Sequence, residues 1–463
     1  MFKTLKNAWR QPELKNKLLF TLLIIVLYRL GSSIPVPYFN LEATGTDIFR
    51  GNILEFLSIL SGGALAQGTL LALGVSPYIT ASIVMQLLTV AIPKLGEIAK
   101  NGEEGKRIIN VWTRVVTIIL AVITAFGYAL LMANNGLTTF TTRTDSGSVV
   151  FVGTQEAVTL AGIFTKHALP FLTMIACYCA GAALVMWLAE KINEGGIGNG
   201  ISMILFANII AGFPAQLSQL WNNAFNNLSA GGFSLSGLIV SLAFILGSVG
   251  LLMLIVWMSD AERRIPIQYA KRVVGRKMYG GQNTNLPLKV NMSGVMPIIF
   301  ANSIVAVPAT ISQLFFSGKS NWFTNFINDW FNYNTWPYLV VFFLLLIAFA
   351  YFYVAISFDP VEVSNNIKNN GGAIPGIRSG RPTVDFIKKI LGRVTLIGAL
   401  LVAVVACVPM IAGIVLTYFP SVNTITAMAF GGSSLMIVVG VAIETVREIE
   451  AQLSLRNYKG FLD

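Results

Sequence analysis

The stretch LSGLIVSLAFILGSVGLLMLIVWM, residues 235–258, contains no Asp, Glu, Lys, Arg or His. A helix needs about 20 apolar residues to cross the hydrocarbon core of a bilayer, so this stretch is long enough to span a membrane. The segment that follows it, residues 260–291, is rich in Lys and Arg. An apolar span bordered by a basic loop is typical of an integral membrane protein whose basic loops face the cytoplasm.

The rest of the chain repeats this alternation of apolar stretches and charged loops. Only 11% of the 463 residues are charged and 55% are hydrophobic, whereas soluble domains carry roughly 25% charged residues. This composition excludes a soluble protein and predicts an all-α polytopic membrane protein. The ten predicted transmembrane helices cover residues 18–37, 76–92, 111–132, 168–189, 199–217, 235–258, 292–314, 337–357, 393–413 and 424–443.

Lys and Arg crowd into alternate loops, which predicts the topology. Residues 260–291 and 359–393 are basic, whereas the connections 212–233 and 414–423 carry no charge. The pattern predicts a multi-pass protein with both termini in the cytoplasm, and it accounts first for the net charge of +11. A nucleic-acid or acidic-protein partner is the second interpretation of that charge.

Ten spans divide into two groups of five. An odd number of spans in each half forces the halves to insert with opposite orientation, which is the layout of inverted repeats. We therefore predict an N-terminal half, 1–211, an external hinge, 212–233, and a C-terminal half, 234–463. No sequence match between the halves is evident, so this division depends on the span count.

The apolar region 56–92 is longer than one span. Within it, Ser61-Gly62-Gly63 opens a short segment, 61–73, and the sequence Gly74-Val75-Ser76-Pro77 ends it, because Pro disfavours helix just before itself. A helix over 62–73 would be roughly 18 Å long, too short to cross a bilayer. We predict a short re-entrant helix buried in protein or lining an aqueous cavity. A kinked span and an interfacial helix are the alternatives.

Motifs for small ligands are weak in this chain. Residues 195–200, GGIGNG, look faintly like a phosphate-binding loop, but no strand precedes them. The one histidine, His167, has no second imidazole beside it for a metal site. No arrangement of residues suggests catalysis, so we expect no enzyme activity and no cofactor. Three cysteines lie in apolar runs and are predicted to be small core residues, not disulfides or metal ligands: Cys177, Cys179 and Cys407.

Ionisable side chains are nearly absent from the predicted spans. Charges within a bilayer are costly and mark substrate or ion routes, so their scarcity argues against an ion or proton pathway. Arg29 lies late in the first span. Its simplest role is to snorkel toward the headgroups or to make a local structural hydrogen bond.

The loop 260–291 is more basic than topology requires. Tyr269 and Tyr279 are interleaved with its cations, and long ordered loops are usually functional. Such a surface suits a phosphate backbone, an anionic lipid or an acidic protein. The cations of the loop are Arg263, Arg264, Lys271, Arg272, Arg276, Lys277 and Lys289.

Several motifs, in order along essentially the whole chain, resemble the SecY family of protein-translocation channels, and its bacterial members in particular. They are SGGAL at 61–65, ALGVSPYITASI at 72–83, GIGNGIS at 196–202, LPLKVN at 286–291, IPGIR at 374–378 and NYKG at 457–460. The resemblance implies the central pore-forming subunit of a translocon in the bacterial cell membrane. Such a channel passes unfolded polypeptides across the membrane and releases hydrophobic segments laterally into lipid.

The resemblance also implies roles for individual residues. The pore ring would consist of Val75, Ile79, Ile201, Leu205, Ile299 and Ile437. The plug would cover 61–73 and begin with Ser61, Gly62, Gly63, Ala64 and Leu65. The lateral gate would include Thr80, Ile83, Gln86, Ser303 and Val307. At the last of these positions, family members often carry a bulkier residue.

The implied partners are macromolecules and lipid. They are the small membrane subunits SecE and SecG, the motor ATPase SecA, the ribosome, passenger chains with signal sequences, and the lipid bilayer. The family's arginine for coupling to SecA corresponds to Arg378, and the basic loops 260–291 and 359–393 would form the docking surface. The alternatives are a secondary transporter for a small solute, which would require charges near the midplane, and a membrane-embedded enzyme, which would require catalytic residues.

Overall fold

The structure is a computed structural model, and most of the chain it describes is helical. It describes residues 2–39, 53–134, 139–143, 149–153, 168–225, 235–269, 272–274, 277–279, 283–315, 322–331, 335–417 and 432–459. The helices are α1 (Phe2–Arg10), α2 (Pro12–Gly31), α3 (Ile53–Leu60), α4 (Ser76–Ala91), α5 (Pro93–Lys100), α6 (Gly102–Asn134), α7 (Ala168–Gly195), α8 (Gly200–Phe225), α9 (Leu235–Asp260), α10 (Met296–Phe315), α11 (Trp322–Phe331), α12 (Trp336–Ser357), α13 (Pro360–Asn369), α14 (Arg381–Thr417) and α15 (Gly432–Lys459). The strands are β1 (Thr139–Arg143), β2 (Val149–Gly153), β3 (Glu262–Tyr269), β4 (Arg272–Val274), β5 (Lys277–Tyr279), β6 (Asn283–Lys289) and β7 (Gly372–Ala373).

Each of the ten predicted spans overlaps one helix of the structure. Within the described residues, six stretches are long and apolar enough to cross a membrane, and α4 with α5 forms a seventh that is bent by 108°. The bend falls at Ile92, next to Pro93, where proline cannot continue the hydrogen-bond ladder. The remaining predicted spans overlap α2, α8 and α15, which carry more charge or a shorter apolar run. Of the predicted span 424–443, residues 424–431 lie outside the described residues, and α15 continues beyond its predicted end to Lys459. The prediction of an all-α polytopic membrane fold is confirmed, and the count of ten is consistent with these helices.

The first span ends earlier than predicted. Helix α2 stops at Gly31, whereas the predicted span continued to residue 37. Ser32 and Ser33 each turn their hydroxyl back to the carbonyl of Arg29, and Pro35 and Pro37 follow, so the chain leaves the helix here.

The described contacts divide the chain into two units. Unit 1 comprises Met1–Asn222, Asn302–Tyr338 and Val441–Asp463, and unit 2 comprises Asn223–Ala301 and Leu339–Gly440. The division into inverted halves, 1–211 and 234–463, remains a prediction.

The core of unit 1 packs α6 and α7 around the chain between α3 and α4. Tyr128 of α6 and Tyr178 of α7 meet edge to face with ring centroids 5.1 Å apart, and both are fully buried. A Cβ at Gly181 would lie 1.9 Å from the carbonyl oxygen of Leu70. Only glycine therefore allows α7 to pack directly on the backbone of that segment.

Unit 2 contains a small sheet that joins the two basic loops. β3 pairs antiparallel with β6 along most of its length, and β3 also pairs with β7 at Gln268↔Ala373. The order β6-β3-β7 thus brings residues 260–291 and 359–393 into one sheet. A compact aliphatic core lies beneath it, formed by Ile265, Ile267, Leu288, Ile367, Ile374 and Ile387. These strands were missed by the sequence analysis, which treated both segments as loops.

Candidate functional site

The segment that follows α3 is irregular, which corrects one prediction. Residues 61–75 form consecutive turns, and the short helix precedes them at Ile53–Leu60, so the predicted helix over 62–73 is wrong. Gly62, Gly63, Gly68 and Gly74 all adopt positive φ, between +54° and +88°. These left-handed conformations interrupt a right-handed helix and are readily accessible to glycine.

The backbone of this segment is satisfied within unit 1. Gly63 donates to the carbonyl of Ser58 at 2.7 Å, and Thr69 donates to that of Ala64 at 3.2 Å. Residues 34–36, just after α2, pair with it through Leu70 N to Ile34 O at 2.8 Å and Val36 N to Gly68 O at 3.2 Å. Irregular backbone at membrane depth is tolerated only when it is satisfied in this way or lines a water-filled cavity.

Polar side chains also hold the segment from within and from α6. The hydroxyl of Ser61 donates to the carbonyl of Ser58 at 3.0 Å and accepts from the amide of Leu65 at 3.1 Å. The hydroxyl of Tyr128 donates to the carbonyl of Leu65. Of the five predicted plug residues, Ser61, Ala64 and Leu65 are buried, while the two glycines between them are partly buried.

A second polar group binds the start of the segment from α2 and α8. The guanidinium of Arg29 donates to the carbonyls of Gly62, at 3.4 Å, and Ala207, at 2.8 Å. The side-chain amide of Asn208, which is fully buried, donates to the carbonyl of Leu60 at 2.8 Å. Arg29 therefore makes structural hydrogen bonds, the second of the two roles expected from the sequence.

Four predicted pore-ring residues lie in unit 1, in two helical pairs. Val75 is the N-cap of α4 and Ile79 lies one turn further on, so they share one face of the helix. Ile201 and Leu205 have the same spacing at the start of α8. Leu205 is buried and Ile201 is partly buried. Each pair follows a glycine-containing break in the chain.

The other two predicted ring residues lie in unit 2. Ile299 is in the first turn of α10 and Ile437 is in the second turn of α15, and both are buried. That all six side chains form one ring stays a prediction.

The predicted lateral-gate residues all lie in unit 1, on α4 and α10. Ile83 is buried, and Val307 is 38% exposed. Thr80 returns its hydroxyl to the carbonyl of Ser76 at 3.0 Å, and Gln86 donates to the hydroxyl of Ser82 at 3.3 Å. Ser303 is partly buried on α10. Their role as a gate stays a prediction.

Three of the predicted partner-binding residues lie on or beside the sheet of unit 2. Arg263 and Arg264 are exposed at the start of β3, where Arg264 forms an ion pair with Glu262 at 2.6 Å. Arg378 is exposed in the turn between β7 and α14, and its carbonyl accepts from the Thr383 hydroxyl at 2.9 Å.

Two of the other predicted cations lie on a pair of short antiparallel strands. Arg272 lies on β4 and Lys277 lies on β5. Lys271 and Arg276 lie outside the described residues. Arg263 and Arg264 thus lie on the same sheet as β7, the strand that precedes the turn of Arg378.

The glycine-rich motif at 195–200 is a tight connection between α7 and α8. Gly198 has φ +84°, and its amide donates to the carboxylate of Glu448 at 2.9 Å. A Cβ at Gly200 would lie 1.9 Å from the carbonyl oxygen of Ala189. The amide that a phosphate would need already donates to a protein carboxylate, so the faint phosphate-loop interpretation is wrong. Among the described residues, no group of His, Cys, Asp or Glu side chains could hold a metal ion.

Comparison with known proteins identifies the family. The SecY family model matches residues 69–446. Protein translocase subunit SecY of Streptomyces galbus is 42% identical, with the alignment covering 100% of both chains. The chain belongs to the SecY family.

Solved structures related to the SecY family share the fold. A structure of a protein conducting channel aligns with TM-score 0.61 and 18% identity, covering 94% of this chain and 92% of that one. The Sec61 chain in a canine ribosome–channel complex from the endoplasmic reticulum aligns with TM-score 0.58 and 17% identity, covering 94% and 92%. At these identities the likeness is evidence for the fold alone.

Two residues that bind the irregular segment were missed by the sequence analysis. Tyr128 and Asn208 each place a polar group in an otherwise apolar helix and are nearly fully buried. A buried polar group needs a partner, so an isolated Tyr or Asn in a predicted span is a signal that could have been used. The sequence does not reveal which backbone carbonyl is that partner.

We predict that Tyr128→Phe loosens the irregular segment. The change leaves the Leu65 carbonyl without its donor, which costs about 1–3 kcal/mol for a buried group. Amide hydrogen exchange of the peptide covering 61–75 should become faster in the variant. Tyr351→Phe is the matched control, since the exposed Tyr351 hydroxyl donates to Gly392 at 3.2 Å, far along the chain from this segment. Unchanged exchange at 61–75 in Tyr128→Phe would contradict the assignment.

Proposed function

We propose that this multi-pass membrane protein is the central pore-forming subunit of a Sec translocon, a passive channel for unfolded polypeptides. The observation that carries the proposal is the segment 61–75, whose irregular backbone is hydrogen-bonded within unit 1. It ends at one predicted ring residue, Val75, and a second, Ile79, lies one helical turn further on. Membership of the SecY family supports the same function. In this proposal the segment is the plug of the closed channel.

An apolar ring suits a channel whose passengers vary in sequence. Aliphatic side chains contact a moving chain without specific hydrogen bonds, so no passenger residue is retained. When the passenger is absent, a narrow hydrophobic constriction dewets and blocks ions. We propose that this constriction is formed by Val75, Ile79, Ile201, Leu205, Ile299 and Ile437.

Lateral release follows from the solvent preference of the passenger. A hydrophobic segment gains roughly 0.8 kcal/mol for each CH₂ group that leaves water for lipid. A channel that opens sideways lets that segment partition into the bilayer, whereas a polar segment continues across. We propose that this opening is lined by Thr80, Ile83, Gln86, Ser303 and Val307.

The driving force must come from a partner, because the predicted spans are nearly free of ionisable side chains that could bind a coupling ion. The exposed cations around the β6-β3-β7 sheet suit such partners: the motor ATPase SecA, and the ribosome with its phosphate backbone. SecE and SecG would complete the channel in lipid. We further propose a bacterial cell-membrane location with both termini in the cytoplasm, where the basic loops also belong.

Functions of other classes find less support. A secondary transporter would bind its solute at buried charged or polar groups near the midplane. The family assignment favours a channel subunit over that transporter, and it also disfavours an enzyme.

The direct test is site-specific crosslinking of a secretory chain stalled during translocation. With a photoreactive amino acid at Val75 or Ile299, we expect crosslinks to the stalled chain. The matched control is Leu246, which is 64% exposed on the apolar helix α9 and should face lipid. Equal crosslinking at Val75, Ile299 and Leu246 would exclude the proposed path.

Ile437→Asn should hydrate the constriction. Its amide replaces a buried aliphatic side chain and holds water, so we expect a higher resting ion conductance in planar bilayers and relaxed stringency toward defective signal sequences. Val404→Asn places the same amide on a 49% exposed position of α14 and should leave conductance unchanged. Conductance equal to that of the parent channel would remove Ile437 from the ring.

Arg378→Glu should impair export driven by SecA while leaving the fold intact, because it reverses one exposed charge. We expect translocation into inverted vesicles to fall by about tenfold, the scale of a lost charged contact at an interface. Lys94→Glu reverses an exposed charge outside the two basic loops and is the control. If the two variants translocate equally well, Arg378 has no special coupling role.

A further inference from the structure

Arg29 is positioned to hold the plug segment closed. It lies near the end of α2, a predicted span, yet its guanidinium bonds to three backbone carbonyls. Nη1 donates to Gly62 at 3.4 Å, and Nη2 donates to Ala207 at 2.8 Å and to Asn208 at 3.3 Å. Within the described part of the chain, no carboxylate forms an ion pair with it. The charge is therefore compensated by carbonyl dipoles of two different segments.

Asn208 completes the arrangement from α8. Its amide nitrogen donates to the carbonyl of Leu60 at 2.8 Å and to the hydroxyl of Tyr28 at 2.9 Å. Tyr28 and Asn208 are both fully buried. Together, α2 and α8 contact the chain at residues 60–62, where α3 ends and the plug segment begins.

The approach of Arg29 to the segment depends on glycine. A Cβ at Gly62 would lie 2.7 Å and 2.8 Å from the two terminal guanidinium nitrogens and 3.0 Å from Oδ1 of Asn208. Gly63, next in sequence, has a similar positive φ, but a Cβ there would meet nothing within 4 Å. The space beside the Gly62 Cα is thus occupied by side chains of α2 and α8, whereas the space beside the Gly63 Cα is open.

These contacts oppose displacement of the segment by polar forces. If residues 60–62 move away, the guanidinium loses one carbonyl and the buried amide of Asn208 loses another. A buried donor without an acceptor is costly, and a charged donor in a membrane is more so. The acceptors are all backbone atoms, so the interaction depends on where the segment lies and not on its side chains.

We propose that Arg29, with Asn208, is a positioning residue that latches the plug segment 61–73 in its closed seat and sets the equilibrium between closed and displaced states. The proposal rests on the proposed channel function. When the segment leaves, water or the carbonyls of a passenger chain replace Gly62 as acceptor, so opening exchanges one set of hydrogen bonds for another.

The latch is tested by the accessibility of Ala64, which is 2% exposed. Ala64→Cys is introduced into the full chain after Cys177, Cys179 and Cys407 are replaced by Ala, and the protein is reconstituted in proteoliposomes. Labelling by a membrane-impermeant maleimide then reports displacement of the segment. We expect Arg29→Gln to raise the labelling rate by about tenfold, since a lost charged hydrogen bond shifts the equilibrium by at least that factor, with a parallel rise in idle ion leak.

The controls separate a latch from a purely structural bond. Arg114→Gln removes a cation that pairs with Glu190 at 2.7 Å and should change neither readout. Arg29→Lys keeps the charge but cannot bridge both segments, so we expect an intermediate labelling rate. If Arg29→Gln lowers the unfolding temperature while labelling and leak stay at the parent values, Arg29 only ties α2 to α8 and the proposal is overturned.

A pair of glycine variants keeps the test decisive if Arg29→Gln does not fold. Gly62→Ala and Gly63→Ala both strain a positive-φ position, but only the first places a methyl group against the guanidinium. We expect faster labelling and a higher leak in Gly62→Ala alone. Equal effects of the two variants would overturn the latch. In the double variant Gly62→Ala/Arg29→Gln, effects smaller than the sum would indicate a shared interaction.

The outcome also separates this proposal from the channel function. Crosslinking of a stalled chain at Val75 in the parent protein decides whether polypeptides pass. Labelling of the cysteine at position 64 is measured without any passenger. A parent that crosslinks the passenger, together with unchanged labelling in Arg29→Gln and Gly62→Ala, would refute the latch alone.

Discussion

The structure of unit 1 depends on satisfying an irregular backbone inside an apolar protein. Residues 61–75 do not form a continuous helical ladder, so their backbone polar groups are paired partly within their own turns and partly with other segments. Neighbouring turns, residues 34–36 and the side chains of Tyr128 and Arg29 supply these partners. The helix α7 also packs closely on Leu70, which only Gly181 permits. A segment held mainly through its backbone can be exchanged for another backbone, which suits a channel for polypeptides.

Ionisable side chains are nearly absent from the predicted spans and are concentrated in the loops. Arg263 and Arg264 are exposed on a small sheet in unit 2 that has its own aliphatic core, and the turn of Arg378 follows the strand β7 of the same sheet. Arg29 lies in a predicted span, and the structure gives its guanidinium backbone carbonyls as partners.

The helices could be predicted from the sequence because their signal is local. A run of apolar residues such as 235–258 has few alternatives to a membrane span, and prolines such as Pro77 and Pro93 mark where helices begin or bend. The segment 61–73 was recognised as too short to cross but was wrongly predicted as a helix. Four glycines between residues 62 and 74 adopt positive φ, and two of their carbonyls, those of Gly62 and Gly68, pair with Arg29 and Val36, which no local pattern identifies.

The sequence by itself determined that this protein crosses a membrane several times, that alternate loops are basic, and that it resembles the SecY family, because hydropathy, charge and motif order are properties of short stretches. Only the tertiary structure decided that Asn208 and Arg29 donate to carbonyls at the start of the plug segment. It also decided that the amide of Gly198 donates to Glu448 and that strands from two basic loops form one sheet. Hydrogen bonds between residues 33 to 250 positions apart depend on how helices pack, and no local pattern encodes which carbonyl a buried donor will reach.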